Sequence, residues 1–275
     1  MIFIDLDIDP KFTTKIIKDF IHNYVHNSGC NKVILGLSGG IDSAVSALLC
    51  KQTLGKNNVL CLFMPDKATP KKDILHHDKF VKKFDINCKK IDIDKILDAF
   101  RNININIKNK TAISNIKTRI RMTLLYSYAN ETGSLVCGTS NKSEILIGYF
   151  TKYGDGGVDF QPLGDIYKTQ ILQLAKYLKI QKSIISKPPS AGLWEKQTDE
   201  RELGISYEKL DKILYGLELR LDDDEIQKLT NATKKDIQRI KMMRKKSQHK
   251  RRLPLIPKIG IRTPGLDWRD PIMEG

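Results

Sequence analysis

The sequence predicts an α/β fold, a doubly wound parallel sheet with helical additions in its C-terminal part. Three observations carry that prediction. A β-branched and aliphatic run, Lys32-Val33-Ile34-Leu35-Gly36-Leu37, ends in the small-residue loop Ser38-Gly39-Gly40-Ile41-Asp42-Ser43 and passes into an apolar helical pattern. The same grammar returns at Leu135-Val136-Cys137-Gly138-Thr139-Ser140, where a strand gives way to hydroxyl residues and a helix from Asn141. Between these two points strands alternate with helices, as in a parallel sheet with right-handed crossovers.

At 275 residues the chain can bury a substantial core, and it reads as a single domain over 1–275. The sheet core is expected over about 30–190, a helical part over about 205–250, and a Pro-rich tail over 253–275. Apolar residues make up 40% and charged residues 29%, an ordinary balance for a globular protein. No stretch approaches the ~18 consecutive apolar residues of a membrane helix. The first residues carry acids and no basic segment, so no signal peptide is expected and the cytoplasm is the default location. The five cysteines, Cys30, Cys50, Cys61, Cys88 and Cys137, are scattered and form no C-x-x-C, which indicates neither a zinc site nor a disulfide framework. Net charge is +15, spread along the chain and mostly Lys, with its densest run at Lys241–Arg252. Aromatic residues do not alternate with the basic runs, which argues against nucleic acid as a partner. Small polyanions and Lys-rich composition bias account for the charge.

Taken in order, residues 11–27 carry Ile16, Ile17, Phe20, Ile21, Tyr24 and Val25 at helical spacing. The first strand and its loop follow, then a helix Ala44–Leu54 closed by Gly55. Val59–Met64 is a second buried strand, ended by Pro65. Residues 70–84 form an amphipathic helix behind Pro70, and its adjacent His76 and His77 read as a solvated face. Asn87–Ile93 is a third strand. The alternating Asn102–Ile107 stretch reads as a short exposed strand or loop, and Thr111–Asn130 as a long helix bearing Arg119 and Arg121. Two residues apart, these arginines lie on different helix faces, and at least one can reach the strand ends. The run Tyr149–Leu163 holds three glycines, two acids and aromatics without periodicity, which marks a shaped, functional loop. Tyr167–Leu178 is a helix beginning near Lys168, and Lys187–Trp194 is rigid and extended. Trp194–Gly204 reads as a polar mobile lid, residues 206–246 as helical, and the Pro-rich tail as lying on the surface.

The first loop carries the chemistry. Ser38, Gly39 and Gly40 leave backbone N–H groups open to a ligand, and a helix N-terminus adds partial positive charge, so the loop is a phosphate site. It matches neither G-x-x-x-x-G-K-[ST] nor G-x-G-x-x-G. Ligands of such sheets bind beyond the strand C-terminal ends, where this loop lies. Thr139 and Ser140 can cap the following helix and can also meet a ligand. Glu144, on the first turn of that helix, could share a metal with Asp42, or each acid could complement a helix dipole. Magnesium takes one or two carboxylates together with substrate phosphates.

The loop Ser38–Ser43, the run Gly138-Thr139-Ser140-Asn141-Lys142-Ser143-Glu144, the segment Phe150–Gly157, Pro188-Pro189-Ser190-Ala191, Asp199-Glu200 with Leu203–Tyr207, and His249-Lys250-Arg251 occur in this order. Together they resemble the ammonia-dependent NAD synthetases, ATP pyrophosphatases of the PP-loop superfamily, over roughly residues 12–254. The resemblance implies an adenine nucleotide alpha hydrolase-like, Rossmann-like fold. It implies a ligase that converts deamido-NAD, ATP and ammonia to NAD, AMP and pyrophosphate through an adenylated nicotinate, the last step of NAD biosynthesis. By the same resemblance Gly36, Leu37, Ser38, Gly39, Gly40, Ile41, Asp42 and Ser43 would hold the ATP phosphates. Thr139, Lys168 and Ser190 would also contact ATP, and Asp42 and Glu144 would hold Mg²⁺. Arg119, Lys152, Asp159, His249 and Lys250 would contact deamido-NAD, the last two in a partner subunit's site. Asp155 would bind ammonium and help it lose a proton, and Lys168 would also serve catalysis. Ser190 stands where bacterial relatives usually carry Thr. The family forms homodimers, which makes helices near 12–27 and 112–130 interface candidates. No cluster suited to a glutaminase stands out, so free ammonia is the expected nitrogen donor. Rival readings are another ATP pyrophosphatase, such as a tRNA-modifying or GMP synthetase-like enzyme, and a non-catalytic nucleotide-binding protein.

Overall fold

The computed structural model describes residues 4–103, 107–190, 192, 194 and 197–264. Helix α1 (Pro10–Asn27) is started by the Asp9 side chain, which accepts from the N–H groups of Lys11 and Phe12. Strand β1 (Val33–Gly36) leads through the loop into α2 (Ile41–Leu54), which ends at Gly55 with φ +83°. Then come β2 (Val59–Phe63), α3 (Lys71–Phe84), β3 (Cys88–Lys90), α4 (Asp94–Asn102), α5 (Lys110–Thr132) and β4 (Leu135–Cys137). Helices α6 (Lys142–Ile147), α7 (Lys168–Tyr177), α8 (Lys182–Ile185) and α9 (Asp199–Leu203) follow, and α10 (Tyr207–Glu218), α11 (Asp223–Thr230) and α12 (Lys234–Lys246) complete the fold.

The four strands are parallel in the order β3-β2-β1-β4. The chain therefore moves outward from β1 through β2 and β3, then returns to the other side of β1 as β4. That reversal opens a crevice beyond the C-terminal ends of β1 and β4. A single parallel bridge between Cys137 and Phe160 fixes the glycine-rich segment alongside β4. Side-chain alternation along the strands divides the core. Val33 and Leu35 face α1, α2 and α7 with Ile21, Leu49 and Leu174, whereas Ile34, Leu62 and Val136 face α4 and α5 with Leu97 and Leu125. A third apolar cluster joins α6 to α10, α11 and α12 through Ile147, Leu210, Ile213, Ile226 and Ile237. It backs the helical C-terminal layer against the crevice. Among the described residues no helix is long and apolar enough to cross a membrane.

Several elements differ from the sequence expectations. Helix α2 begins at Ile41 rather than Ala44, because Gly40 is the last extended residue and Asp42 and Ser43 already belong to the first turn. His76 and His77 are buried, not solvated. The His77 ring stacks on Phe63 at 3.9 Å between centroids, and its Nε2 lies 3.3 Å from Cys88 Sγ. The third strand is only three residues long, and Ile93 leaves it to pack against α4 and α5. Helix α4 had no counterpart in the sequence reading. Part of the expected lid is the short helix α9, while residues 195 and 196 lie outside the described set, as do 104–106 of the Asn/Ile stretch and 265–275 of the tail. The helical stretch 206–246 divides into three, started by Ser206, Asp222 and Thr233.

One buried ion pair ties the loop after β2 to α5. Lys117 Nζ lies 2.6 Å from Asp66 Oδ2, and both side chains are nearly inaccessible. Asp66 Oδ1 also accepts from Ala68 N and Thr69 Oγ1. Burial works against the ionised Asp66, but its bond to Lys117 outweighs this and holds the carboxyl below its ordinary range. Lys117→Met would leave that carboxylate without its cation. A loss of about 3–5 kcal/mol in unfolding free energy is expected in urea denaturation, the range for breaking one side of a buried pair. An unchanged midpoint would show that Asp66 finds compensation elsewhere.

Candidate active site

The crevice holds a cleft of about 410 Å³. Its first wall is the β1–α2 loop. Gly36, Leu37, Ser38, Gly40, Ile41, Asp42 and Ser43 line it, and Gly39 lies behind them against α3. Gly39 takes φ +79°, open to a residue without Cβ, and an added Cβ would sit 3.3 Å from Asp73 O. Ser43 Oγ braces the loop by donating to Gly40 O and accepting from Ser38 N at 3.2 Å. The backbone is thus held in shape, but two of the three N–H groups expected to be open are used within the loop, Ser38 N–H by Ser43 Oγ and Gly40 N–H by Ser38 Oγ at 3.2 Å, so an anion would be met by the unpartnered N–H groups of the first turn of α2.

The second wall comes from β4 and α6. Thr139 and Glu144 line it, and Asn141 behind them is fully buried. Asn141 Nδ2 donates to Asp42 Oδ1 at 2.9 Å, and its Oδ1 accepts from Glu144 N at 3.0 Å. The Glu144 carboxylate accepts in return from Asn141 N, which completes a capping box. One asparagine therefore starts α6 and aligns the two acids.

The third wall is α7. Lys168 is buried, and its Nζ donates to Asp42 Oδ2 at 2.5 Å and lies 3.5 Å from Glu144 Oε1. It also lies over the Tyr207 ring, 5.3 Å from the centroid. Burial opposes the ammonium, but Asp42 first and Glu144 second outweigh it and raise the lysine's proton affinity. Burial pushes the Glu144 carboxyl up to about 8, with Lys168 opposing and Asp42 and Asp199 reinforcing. Asp199, at the start of α9, lines the cleft and accepts from Tyr149 OH at 3.1 Å and Tyr207 OH at 3.3 Å. Three carboxyls thus act on one ammonium, which leaves room for further positive charge beside them. A divalent cation on Asp42 and Glu144 would supply it. Among the described residues no three His, Cys, Asp or Glu groups are arranged to hold a metal, so phosphate and water would complete its shell.

The glycine-rich segment closes the far end. Asp155 lines the cleft, and its Oδ1 accepts from Thr151 N at 2.8 Å. Burial pushes its carboxyl up, against the N–H of Thr151. Ser190 lines the opposite lip, where Lys187 and Asp73 pair at 2.9 Å. Lys250 reaches the cleft from beyond α12, and its Nζ donates to Gly148 O and Phe150 O, each at 2.7 Å.

The remaining expected residues lie outside this cleft. Lys152, with Tyr153, Arg251 and Lys250, borders an adjoining cavity of about 390 Å³. Arg119 is held by Lys152 O, and His249 is exposed. The Asp159 carboxylate accepts from Tyr126 OH at 2.9 Å and Val136 N at 2.7 Å, and its carbonyl accepts from Tyr24 OH. It is committed between α1, α5 and β4. Of the two arginines of α5 it is Arg121 that faces the cleft, with its Nε donating to Met64 O at 3.1 Å. Sequence reasoning assigned no site role to Asn141, Asp199 or Arg121. The signals present are the Asn141–Glu144 spacing, that of a capping box, and the place of Asp199 in the Asp199-Glu200 motif.

Gly138 sits where β4 meets this segment. Its N–H donates to Phe160 O at 2.8 Å, and a Cβ there would come 2.8 Å from Val158 Cγ2 and 2.9 Å from Gln161 Cγ. Gly138→Ala is expected to cost about 1–3 kcal/mol through overpacking. Urea denaturation measures this, and wild-type stability would show that the segment yields.

The sequence profile of the NAD synthase family matches residues 13–254. An NH(3)-dependent NAD(+) synthetase of Sulfurisphaera tokodaii is 45% identical over 273 residues, covering 98% of this chain and 97% of the relative. That of Methanocaldococcus jannaschii is 47% identical over 252 residues, with 90% and 97% covered. Among solved structures, an NMN synthetase from Francisella tularensis superposes with TM-score 0.82 at 33% identity, covering 92% of this chain and all of that one (100%). An NH3-dependent NAD synthetase from Campylobacter jejuni, in complex with the nitrate ion, gives TM-score 0.77 at 37% identity, with 91% and 100% covered.

Proposed function

The chain belongs to the NAD synthase family, and we propose that its cleft converts deamido-NAD, ATP and ammonia to NAD, AMP and pyrophosphate. The enzyme is a ligase that forms a carbon–nitrogen amide bond. The nicotinate carboxylate attacks the α-phosphorus of ATP, the bond to the bridging oxygen breaks, and pyrophosphate leaves. Ammonia then attacks the carbonyl carbon of the adenylate, and AMP leaves as a proton is lost. A carboxylate is a poor acyl electrophile, and adenylation gives its oxygen a leaving group. The protein's contribution is positioning and charge neutralisation.

The observation that carries this reading is the meeting of the Ser38–Ser43 loop with a buried Lys168 held between Asp42 and Glu144. We assign the N–H groups of the first turn of α2 and Lys168 to the departing pyrophosphate, and the hydroxyls of Thr139 and Ser190 to ATP. Asp42 and Glu144 fit Mg²⁺, whose chemistry when bound is to offset negative charge on the phosphates. Asp155 takes the proton from ammonium, for which a buried carboxyl of raised basicity is suited. Arg119, Lys152, His249 and Lys250 are assigned to deamido-NAD, Asp159, whose carboxylate is taken by Tyr126 and Val136 N, is assigned instead to fixing the glycine-rich segment, and the cytoplasm is the proposed location.

A homodimer accounts for the residues that lie outside the cleft. Phe12 and Ile16 are 61% and 51% exposed, four residues apart on α1, and Phe20 continues the stripe. Asp159 is gripped by Tyr24 of α1 and Tyr126 of α5. A dimer through these helices would bring deamido-NAD contacts from both subunits together.

Incubation with ATP, Mg²⁺, deamido-NAD and ammonium should yield NAD and AMP in equal amounts. ADP in place of AMP would overturn the reading. Given the likeness to an NMN synthetase, the mononucleotide counterpart of deamido-NAD is the competing substrate to include, and NAD is expected to form faster than NMN. Asp42→Asn should cost about 2 kcal/mol or more of transition-state stabilisation in kcat/KM, the scale for losing one electrostatic contact. Unchanged turnover would remove Asp42 from the site. Ile16→Glu should convert a dimer to a monomer in sedimentation velocity, and a dimer that survives it places the interface elsewhere.

A further inference from the structure

We propose that Asp211, on α10, is a positioning residue for this reaction: it sets Lys168 against Glu144 by joining the starts of α7 and α6. The inference rests on the reading of the cleft given above. Asp211 is fully buried and does not line the cleft. One carboxylate oxygen accepts from Ser143 OH at 2.5 Å. The other accepts from both the N–H and the hydroxyl of Thr169, each at 2.9 Å. Ser143 Oγ in turn accepts from Lys168 N at 3.0 Å. The first N–H groups of a helix have no partner within it. In α7 two of them are met by side chains of two other helices. Tyr167, just before the helix, has its hydroxyl engaged with Glu218 at 2.7 Å.

This arrangement is more than a cap. Ser143 immediately precedes Glu144, and Thr169 immediately follows Lys168. A single carboxylate therefore bridges the neighbours of the two groups whose separation defines the cluster. A local cap on α7 alone would require only a short polar residue at its start. The remote buried acid links α7 to α6, and both to the C-terminal helical layer. An apolar residue at 211 would leave the Ser143 hydroxyl and both Thr169 donors without their acceptor. The negative charge also faces the positive end of α7.

The test compares Asp211→Asn with Ser143→Ala, which breaks the relay to Lys168 without altering α10. Measurements are kcat, KM for ATP and for deamido-NAD, melting temperature, and Mn²⁺ binding by electron paramagnetic resonance with a non-hydrolysable ATP analogue. Both variants should lower kcat about 10- to 100-fold, the range for loss of an outer partner of a metal site. KM for deamido-NAD should stay near wild type, and Mn²⁺ binding should weaken in both. Wild-type kcat and Mn²⁺ affinity in Ser143→Ala would overturn the proposal, as would a loss in Asp211→Asn that only tracks its unfolded fraction. If the wild-type protein forms no NAD, the reading of the cleft fails, and unchanged Mn²⁺ affinity in the variants would still separately refute the role of Asp211.

Discussion

The buried ammonium of Lys168, held between Asp42 and Glu144, is the constraint on which the rest of the site depends. An ammonium removed from water is tolerated only when paired and hydrogen-bonded. Its partners come from α2 and α6, and it stands at the start of α7. Three helices must therefore arrive together, and they do so because β1 and β4 are neighbours at the reversal of the strand order. The pairing is also incomplete by design of its charges. Asp42, Glu144 and Asp199 outnumber one lysine, and burial first, with Asp42 and Asp199 adding to it, raises the Glu144 carboxyl. The proposed Mg²⁺ and the ATP phosphates would complete such a centre, which would couple the cluster to its substrates.

The C-terminal helices belong to this centre. Tyr207 lies over Lys168, Tyr149 and Tyr207 hold Asp199, and Asp211 reaches the backbone behind Lys168. Removal of water by these aromatic and buried groups strengthens every charge interaction inside the cleft. The layer that appears in sequence as an appendix to the sheet is thus one wall of the site's dielectric environment.

Legibility in the sequence follows from locality. The strand, loop and helix at Val33–Leu54, and their echo at Leu135–Ile147, are written in contiguous apolar runs and small residues, and both were read correctly in kind. The loop, Thr139, Glu144, Asp155, Lys168, Ser190 and Lys250 do converge on one cleft. What escaped depends on contacts remote in sequence. His76 and His77 sit in a helix crowded with lysines, and only the approach of Phe63 and Cys88 buries His77. Arg119 and Arg121 are equivalent in pattern, and the carbonyl of Met64 at the end of β2 decides which one turns inward. Asp199 falls in the stretch expected as a lid and Asp211 in the helical stretch 206–246, and their partners, Tyr149 and Tyr207 for the first and Ser143 and Thr169 for the second, are mostly remote in sequence. Helix α2 starts three residues before the expected Ala44, because Ile41 fits either loop or helix until the backbone turns after Gly40.

The position of Asp159 joins these points into a mechanism of assembly. Its carboxylate is spent on Tyr126 and the backbone of Val136, and its carbonyl on Tyr24. It therefore pins the glycine-rich segment to β4 on one side and to α1 and α5 on the other. Asp155 and Gly154, a few residues earlier, form the far end of the cleft. The face proposed for the second subunit and the floor proposed for ammonium are thus two sides of one short segment. On that reading a partner docking on α1 and α5 would bear on the same residues that shape the nucleophile's pocket. The phosphate loop follows β1, which pairs directly with β4, and Asn141 after β4 donates to Asp42 of that loop. The segment held by Asp159 and the phosphate loop are therefore tied through one pair of neighbouring strands, and a shift of β4 would be felt at both ends of the cleft.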